Sequence, residues 1–141
     1  MTAATIRPAE PTDGEALWPL VRDFATSFAP VRAVFERTLP ELLARDDTRV
    51  LVAEADGRLT GYLLVSVHAT FFANGPVAWI EELMVDERVR RGGVGAALMR
   101  AAELWAADAG AAYVSLATRR AAAFYAALGY DESAVFFTKR L

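Results

Sequence analysis

A chain of 141 residues can bury the core of one domain but not of two ordinary ones, so a single domain over residues 1–141 with one site is expected. Hydrophobic residues at 55% and charged residues at 23% are a globular composition, and a net charge of −3 gives no basic footprint for nucleic acid. The absence of cysteine excludes disulfides, thiol catalysis, zinc–thiolate and iron–sulfur sites, and a single histidine, His68, argues against serine-type triads and HExxH metal sites.

The N-terminal stretch MTAATIRPAEPTDGE lacks a basic segment followed by an apolar one, and no apolar run approaches the ~18 residues that span a bilayer. The chain therefore reads as a soluble, cytoplasmic protein with no membrane partner. Thr5, Ile6 and Arg7 before Pro8 predict a short first strand. Pro11, Thr12 and Asp13 then offer a cap for a helix through Leu17, Leu20, Val21, Phe24 and Phe28, which Pro30 ends or bends. Residues 31–45 predict a second helix, made irregular by Pro40.

The run VLVAEA (50–55), the pair Asp56-Gly57 and the run LTGYLLVSV (59–67) predict a hairpin, with His68 as a polar position late in its second strand. A loop with Phe71 and Phe72 leads to a fourth strand, VAWIEELMV (77–85). The next helix follows a glycine-rich turn and runs to about Ala109, with an inner stripe of Val94, Leu98, Ala101 and Trp105; Gly110 stops it. A strand at 112–116, a short helix from Arg119 to Leu128 and a last strand from Ala134 to Lys139 complete the order β-α-α-β-β-β-α-β-α-β. That order implies a mixed sheet with helices on its faces.

The turn Arg90-Arg91-Gly92-Gly93-Val94-Gly95 is the most informative stretch. Amides at a helix start lack partners and carry the positive end of the dipole, so phosphate can dock there if no side chain blocks it. Glycine at 92, 93 and 95 leaves the backbone bare, and Arg90 and Arg91 add charge and hydrogen-bond donors. The spacing fits neither GxGxxG after a first strand nor GxxxxGK followed by Ser or Thr. A pyrophosphate cradle and a merely tight strand-to-helix turn both fit it.

These residues resemble the GNAT superfamily of N-acetyltransferases, whose acetyl-CoA signature R/Q-x-x-G-x-G/A is met by Arg90, Gly93 and Gly95. A second match, AFYAALGY (123–130), is similar to the family's A-x-x-F-Y-x-x-x-G-F/Y segment through Ala121, Phe124, Tyr125, Gly129 and Tyr130. The resemblance spans essentially the whole chain. It implies the α/β GNAT fold, a mixed and mostly antiparallel sheet of six to seven strands flanked by about four helices. One departure is Thr118, which stands where many members carry asparagine.

The resemblance further implies acetyl-CoA as cosubstrate, no metal, and transfer of the acetyl group to a primary amine by direct attack in a ternary complex. The cofactor would lie against Leu83, Met84, Val85, Arg90, Arg91, Gly92, Gly93, Val94, Gly95, Ala96, Thr118 and Tyr125. Tyr125 is the implied acid for the departing thiolate, and the N–H of Leu83 the oxyanion donor. An i, i+3, i+4, i+7 core stripe through Ala121, Phe124, Tyr125 and Leu128 is the competing reading of Tyr125. Strand alternation sends Glu81 and Glu82 to opposite faces, with Glu81 sharing the parity of Leu83 and Val85. IEELMV, nine residues before Arg90, is similar to the LEDFFV arrangement of the polyamine-acetylating branch. Glu81 is therefore the expected base or ammonium-holding carboxylate, with Glu82 the fallback and a solvent-facing pair the alternative.

The acceptor is expected to be a small-molecule amine beside Phe28, Phe35, Phe72, Trp79 and Glu81. A protein N-terminus or lysine, or a non-catalytic acetyl-CoA-binding module, are the alternatives. The apolar, edge-like segment AVFFTK can pair across a subunit boundary, which makes a homodimer an expectation.

Overall fold

The computed structural model describes residues 3–141. Its elements are β1 (Thr5–Pro8), α1 (Gly14–Phe24), α2 (Arg32–Leu43), β2 (Thr48–Ala55), β3 (Arg58–Ala69), β4 (Pro76–Val85), α3 (Val94–Asp108), β5 (Val114–Leu116) and α4 (Ala122–Ala127). Single 3-10 turns at Pro11–Asp13 and Glu87–Val89 complete them. The sheet order is β1-β2-β3-β4-β5, antiparallel as far as β4 and parallel between β4 and β5. The β2–β3 turn forms at Asp56 and Gly57, with φ of 53° and 75°, as a two-residue hairpin requires.

Alternation along the strands builds two cores. On one face Leu51, Ala53, Leu63, Val65, Ala78 and Ile80 pack against Leu98, Met99, Ala102 and Ala106 of α3. On the other, Val50, Val52 and Tyr62 pack against Leu17 and Leu20 of α1 and Leu39 of α2. The α3 stripe is rotated from its expected position. Leu98, Met99, Ala102 and Ala106 are buried, while Val94, Ala101 and Trp105 flank them. A helix this rich in alanine is apolar almost all round, so periodicity fixes its inner face poorly.

Asp13 precedes α1 but does not cap it. Its carboxylate instead accepts from Arg7 at 2.8 and 2.9 Å and from the Glu10 N–H at 2.7 Å, tying the start of α1 to β1. The Arg7 guanidinium holds this carboxyl below the usual carboxylate range.

The expected last strand is not formed among the described residues, and the sheet has five strands, not six or seven. Two local facts account for this. The β5 strand has only three residues, so its outer edge offers few ladder bonds. Residues 131–141 are instead held by side chains. Phe136 stacks on Trp79 with centroids 6.1 Å apart, Arg140 donates to the Ser27 carbonyl at 2.8 Å, and its guanidinium lies 4.6 Å from the Phe28 ring centroid. The α4 helix also starts later than expected, because the Thr118 hydroxyl accepts the Ala121 N–H at 3.1 Å and keeps the preceding turn non-helical.

Gly61 fixes how closely β3, β4 and α3 approach. A Cβ there would lie 2.8 Å from the Met84 carbonyl oxygen and 3.2 Å from Leu98 Cδ1. Gly61→Ala is expected to destabilise the protein by about 1–3 kcal/mol through overpacking, measured as a lower denaturation midpoint at unchanged slope.

Candidate active site

The site begins where the sheet parts. β4 pairs with β5 only at Ala78, Trp79 and Ile80, whereas its pairing with β3 continues to Val85. From Glu81 to Val85, β4 therefore has no strand neighbour on its β5 side among the described residues. A strand edge of this kind leaves amides and carbonyls available to an extended ligand.

The break coincides with a β-bulge. Val65 pairs with Ile80 and Leu64 with Glu82, so Glu81 is the extra residue. Alternation consequently fails at this point. Leu83 and Val85 pack toward the α3 core, while Glu82 lies across from Leu64 on the other face. The strand's parity switches across Glu81, since Ala78 and Ile80 before it and Leu83 and Val85 after it all pack toward the α3 core. Glu81 is exposed, and partial desolvation raises its carboxyl above its ordinary range; Glu82 adds to the rise, and His68 opposes it. Glu82 has a partner of its own, since the Tyr62 hydroxyl donates to its Oε1 at 2.6 Å. Burial first, and then this carboxylate, raise the Tyr62 phenol.

Beyond β4 the chain turns through Glu87–Val89 into the glycine segment. Arg91 and Gly93 both take positive φ, 73° and 84°, and Gly93 is the N-cap of α3. The first helical bond at this end runs from Ala97 N–H to Gly93 O at 3.0 Å, and no side chain caps the helix. The amides of Val94, Gly95 and Ala96 are thus left as donors. A Cβ at Gly95 would meet Phe124 Cζ at 3.2 Å, so this glycine also lets α4 close on the start of α3.

Arg90 folds back over the end of β4. Its Nε donates to the Val85 carbonyl at 3.0 Å, and a guanidinium nitrogen lies 3.8 Å from the Met84 sulfur. Arg91 is exposed beside Gly92. On α4, Tyr125 is half-buried among Phe124 and Tyr130, with centroids 4.9 and 5.9 Å away, and burial raises its phenol. The Tyr130 hydroxyl is engaged separately, donating to Glu103 at 2.6 Å.

A model of the acetyltransferase (GNAT) family matches residues 15–130. The chain belongs to the GNAT acetyltransferase family. It is thereby an acyltransferase, in a family whose acetyl donor is acetyl-CoA. Among solved structures, glucosamine-6-phosphate N-acetyltransferase from Arabidopsis thaliana superposes on this GNAT chain with a TM-score of 0.87 at 21% identity, covering 99% of each chain. A transcriptional regulator from Bacillus halodurans C-125 gives 0.88 at 23%, covering 98% of this chain and 99% of its own. AAC(6')-Iy in complex with the bisubstrate analog CoA-S-monomethyl-acetylneamine gives 0.82 at 22%, covering 99% of this chain and 100% of its own. At these identities the likeness shows the fold. No curated protein sequence matches.

Within this GNAT fold the residues expected at the site fall into three groups. Leu83, Met84 and Val85 lie on the open edge of β4, and Arg90 through Ala96 form the turn and first helical residues that follow it. Tyr125 and Thr118 come from α4 and the turn before it. The aromatics disperse. Trp79 is on β4 under Phe136, Phe28 is exposed in the α1–α2 loop, Phe72 is exposed 6.4 Å from Tyr113, and Phe35 packs on Trp18 at 5.6 Å in the helical core. Sequence reasoning missed Tyr62 as the partner of Glu82, and gave His68 no link to Glu81. Both depend on strand register, which residue types alone do not reveal. No group of three or more His, Cys, Asp or Glu among the described residues could hold a metal, and no described helix is long and apolar enough to cross a membrane.

The amides at the start of α3 fit a phosphate, since no side chain caps them. Gly93→Asp places a carboxylate at these donors on a left-handed backbone. It is expected to weaken coenzyme A binding at least about tenfold by titration calorimetry, with an unchanged far-UV circular dichroism spectrum.

Proposed function

We propose that the protein transfers the acetyl group of acetyl-CoA to a primary amine of a small molecule, by direct attack within a ternary complex. The observation that carries this reading is the edge of β4 left open where it parts from β5 beyond Ile80, with Glu81 in the bulge at that point and its carboxyl shifted upward. A free amine of pKa near ~10 arrives protonated, and a carboxylate with raised basicity is suited to accept that proton. Glu81 is the base in this reading, acting directly or through water.

Acetyl-CoA supplies an acyl carbon activated as a thioester. The open edge at Leu83, Met84 and Val85 would pair with its extended arm, and the amides from Gly93 to Ala96 with Arg91 would hold its pyrophosphate. The N–H of Leu83 would donate to the acyl oxygen as charge develops there. The new C–N bond forms as the C–S bond breaks. Tyr125, whose raised phenol keeps its proton at neutral pH, would then protonate the sulfur and be restored by the proton that the acylated nitrogen sheds. Thr118 would contribute its hydroxyl hydrogen near this end, its oxygen being occupied by the Ala121 N–H.

Small-molecule acceptors are the substrates named for two fold neighbours, glucosamine-6-phosphate N-acetyltransferase and AAC(6')-Iy with its acetylneamine analog, and this supports the choice of a small amine over a protein. Self-association belongs to the same proposal. Val135 and Phe137 are 79% and 87% exposed on a segment with a strand-like pattern that pairs with no strand among the described residues, and light scattering should therefore report a dimer.

Glu81→Gln and Tyr125→Phe are each expected to lower kcat by about 100-fold while leaving the Kd for acetyl-CoA within about threefold. In the wild type, kcat/KM should rise with pH as Glu81 loses its proton, with a midpoint above the ordinary carboxylate range. Glu81→Gln should abolish that limb.

A further inference from the structure

At the open edge of β4 the two faces of the sheet are not equivalent. On one, Leu83 and Val85 share the α3 core with Phe124 and Tyr125 of α4. On the other, Tyr62, Leu64 and Met84 join the core under α1 and α2, and Glu82 stands across from Leu64. An acyl group whose oxygen takes the Leu83 N–H lies near the plane of the sheet, so a nucleophile must reach its carbon from one face or the other. Phe124 and Tyr125 cover the first, which leaves the face of Glu82 for the amine.

Glu82 is held there by a buried group. Tyr62 is 3% exposed, and its ring meets Phe24 of α1 edge-on with centroids 6.4 Å apart. Its hydroxyl donates to Glu82 Oε1 at 2.6 Å, the length of a charge-assisted bond. Register makes the contact possible: Tyr62 pairs with Met84 and Leu64 with Glu82, so Tyr62 and Glu82 are diagonal neighbours on one face. Without this carboxylate a buried phenol would be left unpaired, which keeps the two groups together. Glu82 Oε2 has no hydrogen bond or ion pair among the described residues. No buried side-chain oxygen among them lacks a partner, so Oε2 is open to solvent.

We propose that Tyr62 is a positioning residue for the acceptor: by its hydrogen bond to Oε1 it fixes Glu82 so that Oε2 receives the ammonium of the incoming amine. This inference rests on the acetyltransferase reading above. Glu81, the preceding residue, then takes the proton, and the freed amine stands beside the Leu83 N–H that holds the acyl oxygen. A carboxylate on an unrestrained side chain would lose rotamer freedom each time an ammonium bound. Tyr62 removes that cost beforehand.

The test uses glucosamine 6-phosphate, the amine named for one fold neighbour, and 2-phenylethylamine, and follows whichever wild type acetylates with the higher kcat/KM. Tyr62→Phe keeps the ring against Phe24 and is expected to raise the acceptor KM about tenfold, with kcat and the Kd for acetyl-CoA within about threefold. Glu82→Gln leaves Tyr62 an acceptor and is expected to raise KM at least as much. In the Glu82→Gln background Tyr62→Phe should add nothing, because the two residues act as one unit. An unchanged KM in either single variant, or effects that multiply in the double variant, overturns the proposal. Acetylation of neither amine would count against the acetyltransferase reading. Calorimetry with the same amines in the presence of coenzyme A then decides Tyr62 separately: binding that weakens about tenfold in Tyr62→Phe upholds the proposal, and binding that is absent or unchanged overturns it.

Discussion

The separation of β4 from β5 after Ile80 is the constraint on which the rest of the site depends. A sheet whose strands stayed paired to their ends would bury the amides of Leu83 and Val85 in a ladder, as the alternate positions Met84 and Asp86 already face β3. Parting at this point leaves that backbone open, and the bulge at Glu81 adds the residue that changes the strand's direction and its side-chain phase. Gly61 opposite Val85 keeps β3 tight against the same stretch, so the open edge stands on a rigid backing. One local defect thus supplies both an unpaired edge and a carboxyl removed from the alternation of its strand.

Charge around this opening is arranged in opposition. On one side the start of α3 offers bare amides and Arg91, with Arg90 drawn back onto the Val85 carbonyl. On the other side Glu81, Glu82, His68 and Tyr62 form a group in which neighbouring carboxyls have different fates. Tyr62 occupies an oxygen of Glu82, whereas exposed Glu81 is shifted by partial desolvation and by the proximity of Glu82. Two adjacent acids with different surroundings can divide acid–base work between them. The net charge of −3 says nothing of this separation, because opposite clusters cancel in a sum.

Much of this was legible in the residues, for identifiable reasons. The hairpin followed from Asp56-Gly57, whose positive φ values few other pairs tolerate, and the α3 entry followed from Gly93. The elements whose signals failed are those set by tertiary context. The tail AVFFTK has the alternation of a strand, yet β5 is too short to template it. The alanine-rich α3 carries no clear inner stripe, and Glu81 obeys alternation in the sequence but not in the fold, because a bulge belongs to a pair of strands and not to one.

The path of the last residues has a practical consequence. Phe136 on Trp79 and Arg140 on Ser27 and Phe28 carry the chain end across the face that bears Glu82 and bind it to the loop between α1 and α2. An affinity tag or fusion partner joined after Leu141 would be tethered one residue from that clasp. Extensions of this protein for purification or immobilisation are therefore better placed at the other terminus, where the first described residues lead into an outer strand of the sheet.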